Sequence, residues 1–176
     1  MRKIVYSVAM SLDGYLAGSN GEADWIVMDP EIDFTGMMAR FDTILMGRRT
    51  FEAVQAMGGG GPMPGVSTVV VSRTLRREDH PGLTILAEDV GGALSRLRAD
   101  SGKDIWLFGG GSLFRSLLDL GLVDTIEVGI MPVLLGGGIP LLPARPERTT
   151  LRLVSSKAYK ATGTLGLEYA VQQKPA

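Results

Sequence analysis

Short runs of β-branched and apolar residues alternate with helical patterns along most of this sequence. The first run, KIVYSVAM (Lys3–Met10), predicts a buried strand. Further strands are expected at DTILMG, STVVVS, LTILA, DIWLF and DTIEVGIMP. Helices are expected at RRTFEAVQAM, over Val90–Ala99, and after the three glycines that follow DIWLF. Strands that alternate with helices in this way predict a mostly parallel central sheet with helices on both faces.

Three parts of the chain depart from this alternation of strands and helices. After the first strand comes the polar loop SLDGYLAGSNGEADW, and Asp29-Pro30 then predicts a helix that runs to about Phe41, with Asp29 as its N-cap. The run GGGGPMPG (Gly58–Gly65) predicts a mobile surface loop. Two alternating runs, LRLVSSKAY and TLGLEYAV, predict a C-terminal antiparallel strand pair. Because no linker or repeat interrupts the pattern, residues 1–176 are predicted to form a single α/β domain.

Composition narrows the chemistry that such a domain can carry. The absence of cysteine excludes disulfides and thiol nucleophiles, and the single histidine, His80, lies in a polar stretch, so no metal site is expected. A net charge of −1 gives no electrostatic reason to expect nucleic acid or a membrane surface as a partner. No apolar run approaches the roughly 20 residues of a membrane span. The N-terminal run has the pattern of a strand rather than a signal peptide, so we expect a cytoplasmic protein.

Three of the predicted strands end in glycine, arginine or hydroxyl residues, at the edge of the sheet where ligands of parallel sheets bind. The first group is Gly47, Arg48, Arg49 and Thr50, the second is Ser72 and Arg73, and the third is Gly109, Gly110, Gly111 and Ser112. Helix N-termini favour phosphate, glycines let the backbone approach it, and arginines donate to it in a forked geometry. These groups predict a site for a phosphate-bearing dinucleotide, although a strand–glycine–helix turn with no ligand is the alternative.

The three adjacent glycines match no common phosphate or nucleophile motif. They do not form the G-x-G-x-x-G pattern, no Lys-Ser or Lys-Thr follows them, and GGGSL is not G-x-S-x-G. No acidic residue closes a following strand to bind a ribose 2′-hydroxyl. The arginines therefore favour NADPH over NADH.

Six segments, spread over nearly the whole chain, occur in an order shared with one known superfamily. They are SVAMSLDGYLA, DW, DTILMGRRTFE, VVVSRT, IWLFGGGSLF and IMPVLLGGGIPLL. The chain resembles the dihydrofolate reductase superfamily, and most closely its branch with the reductase domain of bacterial riboflavin biosynthesis, the RibD C-terminal domain. The resemblance implies an NADPH-dependent reductase of a small heterocyclic substrate, similar to 5-amino-6-(5-phosphoribosylamino)uracil reductase. A dihydrofolate or pterin reductase and a non-catalytic nucleotide-binding sensor module are the alternatives.

The resemblance also implies roles for individual residues. The group from Gly47 to Thr50 would face the cofactor phosphates, and Ser72 and Arg73 would flank the adenosine 2′-phosphate. The segment Gly109–Leu113, which ends in Ser112 and Leu113, would cradle the pyrophosphate and the nicotinamide side. Backbone groups of Ala9 and of the loop near Leu16 would touch the nicotinamide.

Three carboxylates are candidates for the catalytic or substrate-binding acid. Folate reductases carry an acid near the start of the first helix, and here Glu31 or Asp33 falls near that position; such acids also complement a helix N-terminus with no catalytic duty. Asp13 in SLDG matches an acidic position that would line the substrate pocket, or else it is a turn residue before Gly14. Gly129 stands where folate reductases have a threonine that helps to hold the pterin, which shifts the expected substrate away from folate.

The segment Ile130–Leu142 is strongly apolar yet too broken by glycine and proline for a regular core strand. Monomers seldom expose large apolar patches, so a second subunit is one way to cover it. The resemblance likewise implies a homodimer. The alternative is that this segment folds over the edge of its own sheet.

Overall fold

Eight strands form one twisted sheet in the computed structural model, which describes residues 1–59 and 64–172. The elements in chain order are β1 (Ile4–Ser11), β2 (Tyr15–Ala17), α1 (Phe34–Met38), β3 (Phe41–Gly47), α2 (Arg48–Ala56), β4 (Ser67–Val71), β5 (Leu83–Leu86), α3 (Val90–Ala99), β6 (Asp104–Gly109), α4 (Gly111–Asp119), β7 (Thr125–Met131), β8 (Ile139–Pro140), β9 (Leu151–Tyr159) and β10 (Thr164–Val171). The order across the sheet is β5-β4-β3-β6-β1-β7-β10-β9. The first six of these strands pair in parallel, and β10 runs antiparallel to both β7 and β9. The predicted α/β fold with its C-terminal antiparallel pair is confirmed.

Alternate residues of the central strands pack on opposite faces of the sheet, because side chains along a strand point alternately up and down. On β1, Tyr6 belongs to the core that contains Leu94 of α3 and Leu117 of α4. Its neighbour Val5 belongs to the core that contains Phe51 of α2. Helices therefore cover both faces. Within the described residues, no helix is long and apolar enough to cross a membrane.

The helix expected from Asp29 to about Phe41 is wrong in both of its bounds. The structure has only the five-residue α1, and Phe41 begins β3. Asp33 supplies the N-cap, since its carboxylate accepts a 2.8 Å hydrogen bond from the Gly36 N–H. Asp29 is buried, and its carboxylate accepts hydrogen bonds from the backbone N–H and the hydroxyl of Thr162. This long-range contact directs the chain at Asp29 toward the β9–β10 turn instead of into a helix.

The segment Ile130–Leu142 folds back onto its own chain, which is the alternative to the expected partner contact. Within it, β8 pairs with β2, and the N–H of Leu141 donates to the carbonyl of Gly14 at 2.9 Å. Leu141 and Leu142 pack against the core on the α3 and α4 face. The apolar character of this segment therefore provides little support for a dimer, although Leu134 stays exposed.

The strand β9 forms one edge of the main sheet, and all of its residues except Tyr159 are exposed. Leu151, Leu153 and Val154 are large apolar side chains among them. The run Gly58–Gly65, which the sequence predicts to be a mobile loop, lies partly outside the described residues because positions 60–63 are not among them.

Candidate active site

An open cleft of about 1720 Å³ lies at the carboxyl ends of the central strands. The starts of α2 and α4 and the loop after β4 line one end, and β7, β9 and β10 line the other. All thirteen residues that the sequence predicts to contact the cofactor line this cleft: Ala9, Leu16, Gly47, Arg48, Arg49, Thr50, Ser72, Arg73, Gly109, Gly110, Gly111, Ser112 and Leu113. The topology thus brings together groups that lie far apart in the sequence.

The helices that begin beside the arginines of the cleft, α2 and α4, differ from the other two at their N-termini. Their N-caps are Gly47 and Gly110, and no side chain in the described part of the chain caps either helix. By contrast, the carboxylates of Asp33 and Asp89 cap α1 and α3. The first N–H groups of a helix lack partners inside the helix and carry a partial positive charge. Both helix starts in the cleft therefore offer donors to an anion.

At each of the three adjacent glycines, the local structure of the chain itself favours glycine over a larger residue. Gly109 has φ +148°, a conformation that side chains rarely adopt. A Cβ at Gly110 would lie 3.1 Å from Thr50 Oγ1, and a Cβ at Gly111 would lie 2.9 Å from the carbonyl oxygen of Pro140. The peptide bond between Gly109 and Gly110 is cis. Local packing thus accounts for part of the motif, most clearly at Gly111, without any ligand.

The three arginines at this end of the cleft differ in their availability to a ligand. Arg48 donates through Nη1 to both carboxylate oxygens of Glu52, at 2.8 and 3.0 Å, one turn further along α2. Arg49 and Arg73 are exposed, and neither forms an ion pair with any residue that the structure describes. Two guanidinium groups are therefore free to bind a phosphate.

Ser72 shapes the loop that carries Arg73. Its side chain is buried, and its Oγ accepts hydrogen bonds from the N–H groups of Thr74 at 3.1 Å and Leu75 at 3.0 Å. Because this hydroxyl is occupied by the backbone of its own loop, Ser72 is suited to positioning Arg73 more than to direct contact with a ligand.

Two rows of residues cross the floor of the cleft from β1 to β9, because residues at paired positions of neighbouring strands share a face of the sheet. The first row is Ser7, Glu127, Glu168 and Ser155, and the second is Ala9, Gly129, Gly166 and Lys157. Ala9 was predicted as a site residue and Gly129 was singled out through the resemblance to folate reductases, whereas the other six went unidentified from the sequence. A glutamate inside the otherwise apolar run DTIEVGIMP is the signal that could have pointed to Glu127.

The first row carries a network of charged and polar contacts. Arg40 donates to Glu127 Oε2 at 2.7 Å, and this hydrogen bond raises the pKa of Arg40. Ser155 Oγ donates to Glu168 Oε2 at 3.1 Å. The two carboxylates lie directly opposite each other on β7 and β10.

Of the three predicted acidic residues, Glu31 and Asp33 line the cleft. Glu31 is 57% exposed and lies 3.5 Å from Nζ of Lys157, whereas the carboxylate of Asp33 is engaged in the α1 cap. Asp13 is not among the described residues that line the cleft.

The carboxylate of Asp13 connects the turn after β1 to the loop before β8. It accepts hydrogen bonds from Ser11 Oγ at 2.6 Å and from the N–H groups of Leu135 and Gly136 at 3.1 and 2.7 Å. The hydrogen bond from Ser11 is the main cause of a lowered pKa for Asp13. Its role as a turn residue before Gly14 therefore agrees with the geometry.

The sheet order and the cleft at its carboxyl edge define an α/β protein of the dihydrofolate reductase fold. Dihydrofolate reductase from Enterococcus faecalis, solved in complex with NADP(H) and RAB-propyl, matches with a TM-score of 0.67 at 16% identity over 97% of each chain. That likeness shows the fold.

The chain belongs to the RibD C-terminal domain family, whose model matches residues 2–164. It is 34% identical over 179 residues to the uncharacterized protein YyaP of Bacillus subtilis (strain 168), with 96% of this chain and 94% of that one covered. A crystal structure from Shewanella sp. PV-4, which carries the name of a riboflavin biosynthesis protein, matches with a TM-score of 0.82 at 25% identity and covers 98% of this chain and 100% of that one. Family membership supports a reductase-like function.

Proposed function

We propose that this protein is an NADPH-dependent reductase of a small heterocyclic substrate. The observation that carries the proposal is that two helix starts, which no described side chain caps, open into one cleft beside Arg49 and Arg73, which form no ion pair with a described residue. Membership of the RibD C-terminal domain family supports a reductase, and the fold shared with a reductase solved with NADP(H) supports a nicotinamide cofactor.

The cofactor end of the cleft has the groups that a dinucleotide requires. The first turns of α2 and α4 would bind the pyrophosphate through backbone N–H groups. Arg73, on the loop that Ser72 positions, would bind the 2′-phosphate, with Arg49 beside it. Ala9 and Leu16 also line the cleft and would contact the nicotinamide. When bound, NADPH supplies a hydride.

Reduction of a double bond also needs a proton and a fixed orientation of the substrate. On the floor of the cleft, Ala9 and Gly129 leave room for a ring beside the nicotinamide position. In this proposal Glu31 relays a proton from solvent to the substrate, because its carboxylate is exposed in the cleft while that of Asp33 holds the α1 cap.

The test is NADPH oxidation by the purified protein, followed by its absorbance, against pyrimidines, pterins and quinones. Oxidation that depends on a pyrimidine would support the proposal. Oxidation with pterins alone would indicate a pterin reductase. Cofactor binding without oxidation across the whole panel would indicate a nucleotide-binding sensor module and would contradict the proposed reductase.

We further propose a cytoplasmic homodimer that pairs through the exposed edge strand β9. Leu151 and Leu153 are apolar side chains on an unpaired edge, which natural proteins usually cover or charge. Light scattering at low micromolar concentration should give about twice the chain mass of 18.8 kDa, and Leu153→Lys should reduce it. A monomer mass for the unaltered protein would refute the dimer.

A further inference from the structure

The charged residues of the cleft separate according to strand order. Arg48 and Arg49 follow β3, and Arg73 follows β4, so the cationic end lies on one side of β6 and β1. Glu127 on β7 and Glu168 on β10 lie on the other side of β6 and β1. One cleft thus presents two ends of opposite charge.

The end formed by α1, β7, β9 and β10 carries an excess of negative charge, which we term the acidic end. Its carboxylates are Glu31, Asp33, Glu127 and Glu168, and its cations are Arg40 and Lys157. Four carboxylates against two cations leave a formal charge of −2. Both cations are already paired, Arg40 with Glu127 at 2.7 Å and Lys157 with Glu31 at 3.5 Å. Neither Asp33 nor Glu168 has an ion-pair partner among the residues that the structure covers.

On the floor of the cleft beside these carboxylates, Gly129 of β7 presents no side chain. A Cβ at Gly129 would meet nothing closer than Met131 Cε at 3.6 Å, which is an ordinary contact. Packing within the chain therefore does not require glycine here, in contrast to Gly111. Together with Ala9 in the same row, Gly129 leaves a surface on which a ring can lie. The ring of Tyr159 borders this surface, since its Cε2 would lie 3.1 Å from a Cβ at Gly166.

The facing carboxylates of Glu127 and Glu168 also repel each other. Like charges directly opposite each other on antiparallel strands destabilise a sheet. Arg40 donates a hydrogen bond to Glu127 and also attracts Glu168 electrostatically, whereas the one hydrogen bond to the Glu168 carboxylate from a described side chain comes from the hydroxyl of Ser155, on one oxygen. An ionised carboxylate only accepts hydrogen bonds, so the remaining capacity of Glu168 suits a ligand with N–H donors.

We infer that the substrate is an uncharged, unphosphorylated heterocycle whose ring lies over Gly129 and whose N–H or amino groups donate to Glu168. The inference rests on the proposed function and specifies its substrate class. It differs from the phosphoribosyl substrate that the riboflavin-pathway resemblance implies, because a phosphate at the acidic end would meet net negative charge and no unpaired cation among the described residues that line it.

Calorimetry on the protein saturated with NADP⁺ tests this inference with matched probes. The probes are 5-amino-6-(ribosylamino)uracil, the same compound with a 5′-phosphate, 5,6-diaminouracil and 7,8-dihydropterin. We expect at least one unphosphorylated compound to bind, and the nucleoside to bind about tenfold more tightly than its phosphate, the size of one charge-assisted contact.

Two substitutions test whether the unphosphorylated probe binds at Glu168. Glu168→Gln keeps an acceptor for Ser155 but loses the charge, and we expect it to weaken the binding of the unphosphorylated probe about tenfold. Glu88→Gln, at an exposed position outside the described lining of the cleft, makes the same chemical change and should have no effect.

The outcomes separate this inference from the proposed function. If NADPH itself fails to bind, in a titration made first, the proposed function fails. If NADPH binds but the phosphorylated probe binds more tightly, if no unphosphorylated probe binds, or if Glu168→Gln has no effect, the substrate assignment is overturned and the cofactor proposal stands.

Discussion

Replacement of Arg73 by alanine should change which nicotinamide cofactor the protein prefers. In the free protein, Arg73 is exposed and forms no ion pair with a described residue, so its removal breaks no contact that stabilises the fold. Any change in cofactor affinity therefore reports a contact to the ligand. Because only NADPH carries a 2′-phosphate, the loss should appear with NADPH and not with NADH.

The expected size of the loss follows from the position of Arg73. A hydrogen bond to a charged group contributes about 1.5–3 kcal/mol. Since the guanidinium is exposed at the rim of the cleft, solvent screening places the contact at the lower end of that range. Arg73→Ala should therefore weaken NADPH binding roughly tenfold and leave NADH binding unchanged, as measured by calorimetry at fixed salt.

Arg76 provides a matched control in the same loop. It is exposed and lies 3.5 Å from Glu78, outside the described lining of the cleft. Arg76→Ala makes the same change in net charge and should leave both affinities unaltered. Equal losses for NADPH and NADH in Arg73→Ala, or equal effects of the two substitutions, would refute the assignment of Arg73 to the 2′-phosphate.

Three further substitutions test other parts of the account. Gly111→Ala should lower the free energy of unfolding by about 1–3 kcal/mol, because the new Cβ would lie 2.9 Å from the Pro140 carbonyl oxygen. Gly91→Ala is the control and should not lower it, since the nearest atom to its Cβ is 3.5 Å away. Equal thermal stabilities of the two variants would contradict this. The hydrogen bond from the Glu31 N–H is the main cause of the lowered pKa of Asp29. The charged form of Asp29 therefore stabilises the fold above about pH 4. This stabilisation is lost as the pH falls through the lower pKa that Asp29 has in the folded protein. Asp29→Asn should accordingly lower Tm at neutral pH and reduce the difference in Tm between neutral and acidic solution; an unchanged acid profile would contradict it. Glu31→Gln should lower kcat more than Asp33→Asn does in the NADPH oxidation assay, and the reverse order would identify Asp33 as the proton donor.

Local sequence patterns were sufficient to predict the central sheet and most helices. The predicted bounds of α3, Val90–Ala99, are confirmed, because Asp89 caps the helix and Leu94 lies on its buried side. The strands β3, β4 and β6 were expected from β-branched and apolar runs that alternate between two faces. These signals depend on neighbouring residues, which a single sequence displays directly.

Features set by distant contacts could not be predicted in the same way. The side chain of Asp29 binds Thr162, 133 residues further on, so the local cap signal was misleading. The two-residue strand β8 pairs with β2 and has no periodic pattern of its own. The row that contains Glu127 and Glu168 exists only because of the register between strands remote in sequence.

The most direct test of the cofactor site compares the backbone amides of the four helix starts by NMR as NADPH is added. The account predicts chemical-shift changes at Arg49 and Ser112, in the uncapped first turns of α2 and α4. It predicts little change at Gly36 and Gly92, whose N–H groups already donate to Asp33 and Asp89. Shifts at all four helix starts alike, or none at α2 and α4 despite saturation, would contradict the account.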